Sequence, residues 1–481
     1  VDLVYESLYI GGKWVAPASA RTIEVVSAST EEVIGRVPEA AEADIDAAVA
    51  AARAAFDDPV GWSSWEPAER AAVMERLAVA LDARAGETAR RVSSQNGLPI
   101  SIANAVEGGF PQLILRYYAG LIRTAVLDEA RDGLLGGKVR VRRTPVGVVG
   151  AIVPWNLPMT LAAFKLGPAL AAGCTLVLKP SPGTVLDAQL FAEAVDEAGF
   201  PPGVVNVVQS GREGGAHLVS HPGVDKVAFT GSTAAGRQIA ETCGRLLRPV
   251  TLELGGKSAA IVLDDADLMA NPQDLFLSTM VNNGQTCHLT TRILAPASRY
   301  DEIVETFTGF AASLAVGDAL DPATQIGPLA SAAQRERVEG YIAKGLAEGA
   351  RLTTGGGRPA GQSRGWFVEP TVFADVDNHS TIAREEIFGP VLSIIKYETD
   401  EEAIAIANDS PYGLGGTVWT TDPARGQAVA SRIRTGTIGI NTYTVDPAAP
   451  FGGVKDSGLG RELGPEGLTA YQALQSMHLP G

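Results

Sequence analysis

From about residue 145 onward the chain alternates short β-rich runs with helical stretches, and no other feature restricts the fold as strongly. The first runs are "VGVVGAIV", "TLVLK", "VVNVV", "KVAFT" and "VTLEL". Between them "VLDAQLFAEAVDEAG" reads as a helix that stops at Gly199, before Pro201, Pro202 and Gly203 turn the chain. Alternation of this kind builds a parallel sheet covered by helices on both faces. A second series begins near Ser258, with "AAIVL", "VLSIIKY", "GGTVWT" and "TGTIGIN" as strands and "EEAIAIAND" and "ARGQAVASRI" as helices. At 481 residues the chain is long for one core, so two α/β domains are expected. Upstream, "EADIDAAVAAARAAF" places Ile45, Val49, Ala52 and Phe56 on one helical face. "GGKVRVRRTPV" differs, alternating like an exposed antiparallel hairpin suited to assembly.

Composition narrows the partners. Hydrophobic residues at 46% and charged residues at 20% describe an ordinary soluble globular chain. A formal charge of −16 repels nucleic acid and anionic lipid, so neither is expected as a partner. The opening "VDLVYESLYIGGKWV" lacks the basic start and apolar run of a signal peptide, and no apolar stretch has the length of a membrane span. Three cysteines, an odd and sparse count, argue against a disulfide framework and fit a reducing compartment. The expectation is a cytoplasmic protein acting on small molecules, without a membrane.

One cysteine is placed oddly. Cys174, in "AAGCTLVL", has the apolar neighbours of a packing residue; Cys287, in "VNNGQTCHLTTR", sits among small polar residues with no partner cysteine nearby. That context fits a thiol that something must reach. His288 is adjacent, but neighbouring side chains point apart, so a Cys-His hydrolase would need another base. His217 and His221 are four apart, followed by Pro222, with no third ligand apparent; they read as exposed histidines, and no metal is expected. Glu253 is a carboxyl inside the apolar "TLELGG". Burial would raise its pKa as a general base needs, with a structural ion pair as the bland alternative.

Asn156 in "VPWNLP" and Lys179 at the end of "TLVLK" follow apolar strands, where an open α/β sheet binds ligands. A hydrogen-bonded structural amide and a solvated lysine explain each of them equally well in isolation. "KVAFTGSTAAGRQIA" runs strand, Gly231, Ser232, Gly236, helix. Ser232 is a good N-cap, and a helix start presents N–H groups to a pyrophosphate. The spacing is neither G-x-G-x-x-G nor a P-loop, so an ordinary strand-to-helix turn accounts for it as well.

Together these stretches resemble the NAD(P)-dependent aldehyde dehydrogenase superfamily over essentially the whole length, from "LYIGGKWV" to "PFGGVKDSGLGRELG". The most specific motifs are "LELGGK" with Glu253, "NNGQTC" with Cys287, "PWNLP" with Asn156 and "EEIFGP" with Glu386 and Phe388; "FTGSTAAG" and "LKPS" support them. The resemblance implies a Rossmann-like NAD(P)-binding domain (1–124 and 145–255), an α/β catalytic domain (256–457) and a small β oligomerisation segment (125–144 and 471–481) in a homo-oligomer, dimer or tetramer. It implies that Cys287 attacks an aldehyde, that Asn156 and the Cys287 N–H hold the oxyanion, and that Glu253 activates water against the thioester left after hydride transfer. Lys179 would contact the adenosine ribose, Glu386 the nicotinamide ribose, the Ser232 helix start the pyrophosphate, and Phe388 the nicotinamide. Matching positions add Ile152, Val153, Pro154, Trp155, Ser181, Pro182, Gly211, Phe229, Thr230, Gly231, Leu254 and Gly255 to the cofactor's surroundings.

This chain also departs from its relatives. Many NAD-preferring members carry a glutamate after "LKPS", where this chain has Pro182. NAD is therefore expected as cofactor with NADP left open. His288 and Thr290 are off the commonest pattern and are expected to shape the substrate mouth. Matching positions suggest a pocket of Leu157, Leu161, Phe164, Thr286, His288, Tyr443 and Val445, mainly apolar and without a cation for a substrate carboxylate. Medium-sized aliphatic or aromatic aldehydes are the expected substrates. The alternatives are a CoA-acylating aldehyde dehydrogenase, against which Glu253 counts, and a cofactor-independent cysteine esterase.

Overall fold

A computed structural model describes residues 3–480; Val1, Asp2 and Gly481, at the ends of the first and last expected segments, lie outside the described residues. Its first sheet has eight strands in the order Gly458–Leu459, Val250–Glu253, Lys226–Thr230, Val148–Ile152, Thr175–Lys179, Val205–Val207, Leu8–Ile10, Lys13–Val15. The middle five run parallel. They are buried on both faces, which is why they read as continuous apolar runs rather than as alternation. Val149, Ala151, Leu176 and Leu178 belong to one core and Val148, Ile152, Val177 and Val227 to another.

After Val148–Ile152 the chain adds two strands on one side, then returns to add Lys226–Thr230 and Val250–Glu253 on the other. The order therefore reverses between Val148–Ile152 and Lys226–Thr230, and the crevice beyond their carboxyl ends is where such a sheet takes ligands. Asn156 follows the first of these strands, and Gly231 and Ser232 follow the second.

The second sheet has seven strands, in the order Arg351–Thr354, Thr371–Ala374, Val391–Tyr397, Arg292–Pro296, Ala259–Val262, Gly416–Trp419, Gly439–Ile440. All neighbours are parallel except the antiparallel Arg351–Thr354 edge. Its faces carry separate cores, Ile261, Leu294, Phe373 and Val391 on one and Ile293, Phe307, Leu392 and Ile394 on the other. Glu253 ends a strand of the first sheet and Ala259 opens one of the second, so the short link between them marks the junction of the sheets. Near its end the chain returns here: Gly458–Leu459 pairs antiparallel with Val250–Glu253, Gly458 facing Glu253.

Lys138–Pro145 lies between Asp128–Asp132 and Gln472–Leu479 in an antiparallel three-stranded sheet. The expected hairpin and its terminal partner strand are both present. Leu474, Met477 and Leu479 are exposed on it. Ahead of residue 125 four described helices escaped the sequence reading: Pro67–Asp82, Ala85–Asn96, Ile100–Val106 and Phe110–Thr124. Among the described residues no helix is long and apolar enough to cross a membrane.

Candidate active site

The segment before Cys287 is shaped by left-handed backbone. Asn282, Asn283 and Gly284 have φ of 55°, 58° and 74°, a run that asparagine and glycine tolerate best. The asparagine side chains then fasten the loop. Asn283 Nδ2 donates to Gly97 O (2.8 Å) and Pro328 O (2.9 Å), and its Oδ1 accepts from Gly327 N–H (2.6 Å). Asn282 Nδ2 donates to Asn156 O (3.1 Å), and Gln285 Oε1 accepts from Ala330 N–H (3.0 Å). Asn156, itself buried, donates from Nδ2 to Gln285 O (2.9 Å), which fixes its amide against the Cys287 loop. Gly256 completes the approach, since a Cβ there would collide with the Cys287 carbonyl.

Cys287 is half-buried. Burial pushes its thiol well up, and the carboxylates of Glu386 and Glu253 push the same way; backbone N–H groups of Cys287 and His288 oppose them and lose. Glu253 is 2% exposed, and neither carboxylate oxygen has a hydrogen-bond partner among the described residues. Burial and the charge of Glu462 hold its pKa well above the usual carboxylate range. Gly452 makes room for it, as a Cβ there would strike Glu253 Oε1. Two buried, unbonded carboxylate oxygens, close enough for their charge to act on the Cys287 thiol, form an arrangement suited to accepting a proton.

The groups expected around the cofactor converge from the crevice ends. Ser232 caps the helix Thr233–Arg245, accepting from Ala235 N–H (3.3 Å). Lys179 is 5% exposed, which corrects the reading of a solvated strand-end lysine; its amine donates only to Pro180 O (3.2 Å), and burial lowers its pKa to about 8. Glu386 accepts from Gly256 N–H (3.0 Å) and presses on Gly255, where a Cβ would meet its carboxylate. Burial raises Glu386 to about 7, against the pull of that N–H and of Arg337 and Lys257. Phe388, at φ 62°, sets its ring edge-on to Trp155, with centroids 5.4 Å apart. Ile152, Val153, Phe229, Thr230 and Leu254 are buried in the crevice floor, while Pro154, Ser181, Pro182, Gly211 and Gly231 are partly open.

The expected substrate wall is aromatic as well as aliphatic. His288 stacks on Tyr443 with centroids 4.5 Å apart and planes 13° apart. Burial holds it near pKa 4, so it is neutral at physiological pH. Phe451 links His288 to Phe164, and Phe164 meets Phe110; neither Phe451 nor Phe110 was foreseen. Leu157, Val445 and Cys287 pack at the edge of the core that holds Leu161 and Phe164. Thr286 is buried with an unpartnered hydroxyl. Thr290 is a correction: it is fully buried, and its hydroxyl donates to Ser278 O (3.0 Å), so it shapes the loop from behind rather than a mouth.

The sequence also missed a buried ion pair. Lys165 Nζ donates to Glu462 Oε1 (2.7 Å) and Thr230 Oγ1 (2.6 Å), and both charged side chains are at most 1% exposed. A lone lysine in the apolar helix Pro158–Ala172 was the available signal. A third group joins the histidine pair as well: Asp46 Oδ1 lies 2.6 Å from His217 Nε2 and 3.4 Å from His221 Nε2. Gly223 N–H donates to His221 Nδ1 (3.0 Å), which leaves the ring proton on Nε2, facing Asp46. Asp46, His217 and His221 thus bring three potential ligand atoms within 4.8 Å of one another, and both histidines are half-buried, which corrects the reading of an exposed pair with no third ligand.

A half-buried thiol, an unbonded buried carboxylate whose charge reaches it and a ligand crevice at the switch point of a doubly wound sheet suit covalent chemistry beside a bound ligand. Residues 14–477 match the family described as "Aldehyde dehydrogenase family", and the chain belongs to it. It is 58% identical over 477 residues to the geranial dehydrogenase of Castellaniella defragrans, covering 99% of each chain. Among solved structures it resembles a Mycobacterium tuberculosis aldehyde dehydrogenase complexed with NAD+ (TM-score 0.97, 52% identity, 100% of this chain and 99% of that one). It also resembles a mutant of aldehyde dehydrogenase C from Pseudomonas syringae, complexed with NAD+ and octanal (TM-score 0.94, 41% identity, 98% and 96% covered).

Proposed function

We propose that this chain oxidises a medium-sized apolar aldehyde to its carboxylic acid with NAD+, by way of a thiohemiacetal and a thioester on Cys287. Glu253 carries the proposal, through its burial without hydrogen-bond partners beside the thiol. Its raised pKa makes it a better base than an ordinary carboxylate, and it takes the thiol proton as Cys287 attacks the carbonyl carbon. The carbonyl oxygen, now an oxyanion, is held by the Cys287 N–H and by the Asn156 N–H not engaged with Gln285. Bound NAD+ supplies the hydride acceptor. As the hydride leaves, the oxyanion collapses to the thioester and Glu253 releases the thiol proton to solvent. It then takes a proton from water, whose oxygen attacks the thioester carbon; the carbon–sulfur bond breaks, the acid leaves, and Glu253 returns that proton to Cys287.

For the cofactor, Glu386 is the acceptor for ribose hydroxyls, Lys179 faces the adenosine ribose, and Gly231 with the Ser232 helix start receives the pyrophosphate. Gly255, with no Cβ to crowd Glu386, leaves that carboxylate room to act. The aromatic and aliphatic wall from Phe110 to Phe451 favours an apolar substrate, and the geranial and octanal partners of the two relatives are of that kind. Broad activity on such aldehydes is the finer assignment we favour. Glu253 disfavours thioester transfer to coenzyme A, which needs no water-activating base. We place the cofactor domain at 1–124 and 145–255, the catalytic domain at 256–457 and the assembly segment at 125–144 and 471–481, in keeping with the strand membership of the four sheets. Three free cysteines are in keeping with a cytoplasmic setting.

The decisive test is Cys287→Ala. Aldehyde-dependent NADH formation should vanish while NADH binding, followed by its fluorescence, persists; substantial residual oxidation by homogeneous protein would overturn the mechanism.

A further inference from the structure

Pro182 leaves no acid where many relatives have one, yet the fold brings another carboxylate to that place. Glu39 follows the strand Val33–Pro38, and its backbone is pinned on both sides. Its N–H donates to Arg21 O (2.9 Å), and the next N–H, of Ala40, donates to Gln209 O (2.8 Å), just ahead of Gly211. The carboxylate then lies over Gly211, where a Cβ would stand 3.2 Å from Glu39 Oε1. Gly211 opens the helix Arg212–Ser220, and that helix packs on Lys179: a Cβ at Gly215 would lie 3.4 Å from Lys179 Cε. Glu39 is also the acid whose charge Lys179 feels. Arg21 holds the carboxylate from outside at 3.6 Å, and the Glu39 side chain is only 23% exposed.

We infer that Glu39 selects the cofactor in this chain, its carboxylate occupying the neighbourhood of the adenosine 2′ position and repelling a 2′-phosphate there. The inference rests on the proposed placing of the adenosine ribose at Lys179 and Gly211. A phosphomonoester carries between one and two negative charges at neutral pH, and a half-buried carboxylate is screened from it less than a surface one. Lys179 alone would welcome that phosphate. Glu39, held by Arg21 on its outer side, sets a carboxylate against that phosphate, and it accepts from the neutral hydroxyls of NAD instead. The polypeptide thus supplies from a strand end near its start the acid that the segment after Lys179 lacks.

The test measures dissociation constants of NADH, NADPH, 5′-AMP and 2′-AMP for the full-length protein, by cofactor fluorescence and its displacement. Glu39→Gln should tighten NADPH and 2′-AMP by about tenfold while NADH and 5′-AMP stay within about twofold. Glu39→Ala should shift the same ratio, and Pro182→Glu added to Glu39→Gln should restore the preference for NADH. Lys179→Met is measured in parallel. If it weakens the dinucleotides while both Glu39 variants keep the wild-type NADPH-to-NADH ratio, Glu39 is not the selector. If Lys179→Met changes nothing, the placing of the ribose is itself wrong and the inference falls with it.

Discussion

Glu253 answers two demands that pull against each other. Buried without a bonding partner, it ionises at a cost to the fold; as a base, it has to ionise to work. Because its folded pKa lies above the unfolded value, folding takes up a proton there. Its contribution to stability is thus fully present below the unfolded pKa, about 4.3, and lost as pH rises through the raised one. Turnover should climb over that same window as the carboxylate forms. Glu253→Gln should lose this acid limb, slow deacylation until a burst of NADH precedes sluggish turnover, and resist urea better than wild type at neutral pH. An unchanged steady-state rate would remove Glu253 as the hydrolytic base. The burial of Glu253 was readable in the sequence as a carboxyl inside an apolar strand, which left a base and a structural ion pair both open, and only the family resemblance singled out the proposed role. The work of Asn282 and Asn283 was not, since their partners Gly97, Asn156 and Pro328 are distant along the chain and only folding brings them close.

The helix Pro158–Ala172 shows what element-level reading catches and what it loses. Its strand-helix context follows from periodicity, but its fifteen residues are all buried, so no polar face marks its orientation. Its N-terminus is met by Glu107, which accepts from Met159 N–H (2.8 Å) and Thr160 N–H (3.3 Å) and so stands in for a local cap. Its midpoint is pinned to the returning chain by Lys165 and Glu462. Removing one partner of a buried pair strands the other charge, so Lys165→Met should cost about 3–5 kcal/mol. Lys165→Met combined with Glu462→Leu should recover part of that in denaturant unfolding. Additive losses in the double variant would mean the two charges are not a pair in solution. The cofactor-side glycines illustrate a further limit. Gly255 and Gly452 are ordinary in the sequence, and their need for no Cβ appears only once Glu386 and Glu253 are seen against them.

At the scale of the molecule, the three-stranded ribbon and the second sheet each end in a strand that is paired on one side only among the described residues, Gln472–Leu479 and Gly439–Ile440. Exposed edges with apolar side chains such as Leu474 and Leu479 are liabilities that a partner subunit would remove. We expect a dimer or tetramer by light scattering at micromolar concentration, and a stable monomer there would refute the assembly proposal. Fold class, the two large sheets and the antiparallel hairpin were legible in the patterning of their apolar residues; the coverage of one sheet by residues hundreds of positions away was not. Glu462 reaches Lys165 across 297 positions, and Gly458 reaches Glu253 across a gap of comparable scale. A ribosome must therefore deliver nearly all of the polypeptide before Glu253 gains its final enclosure. An emerging chain that already exposes Cys287 lacks the finished surroundings of Glu253, so the complete site is not assembled until synthesis has carried the chain past residue 462.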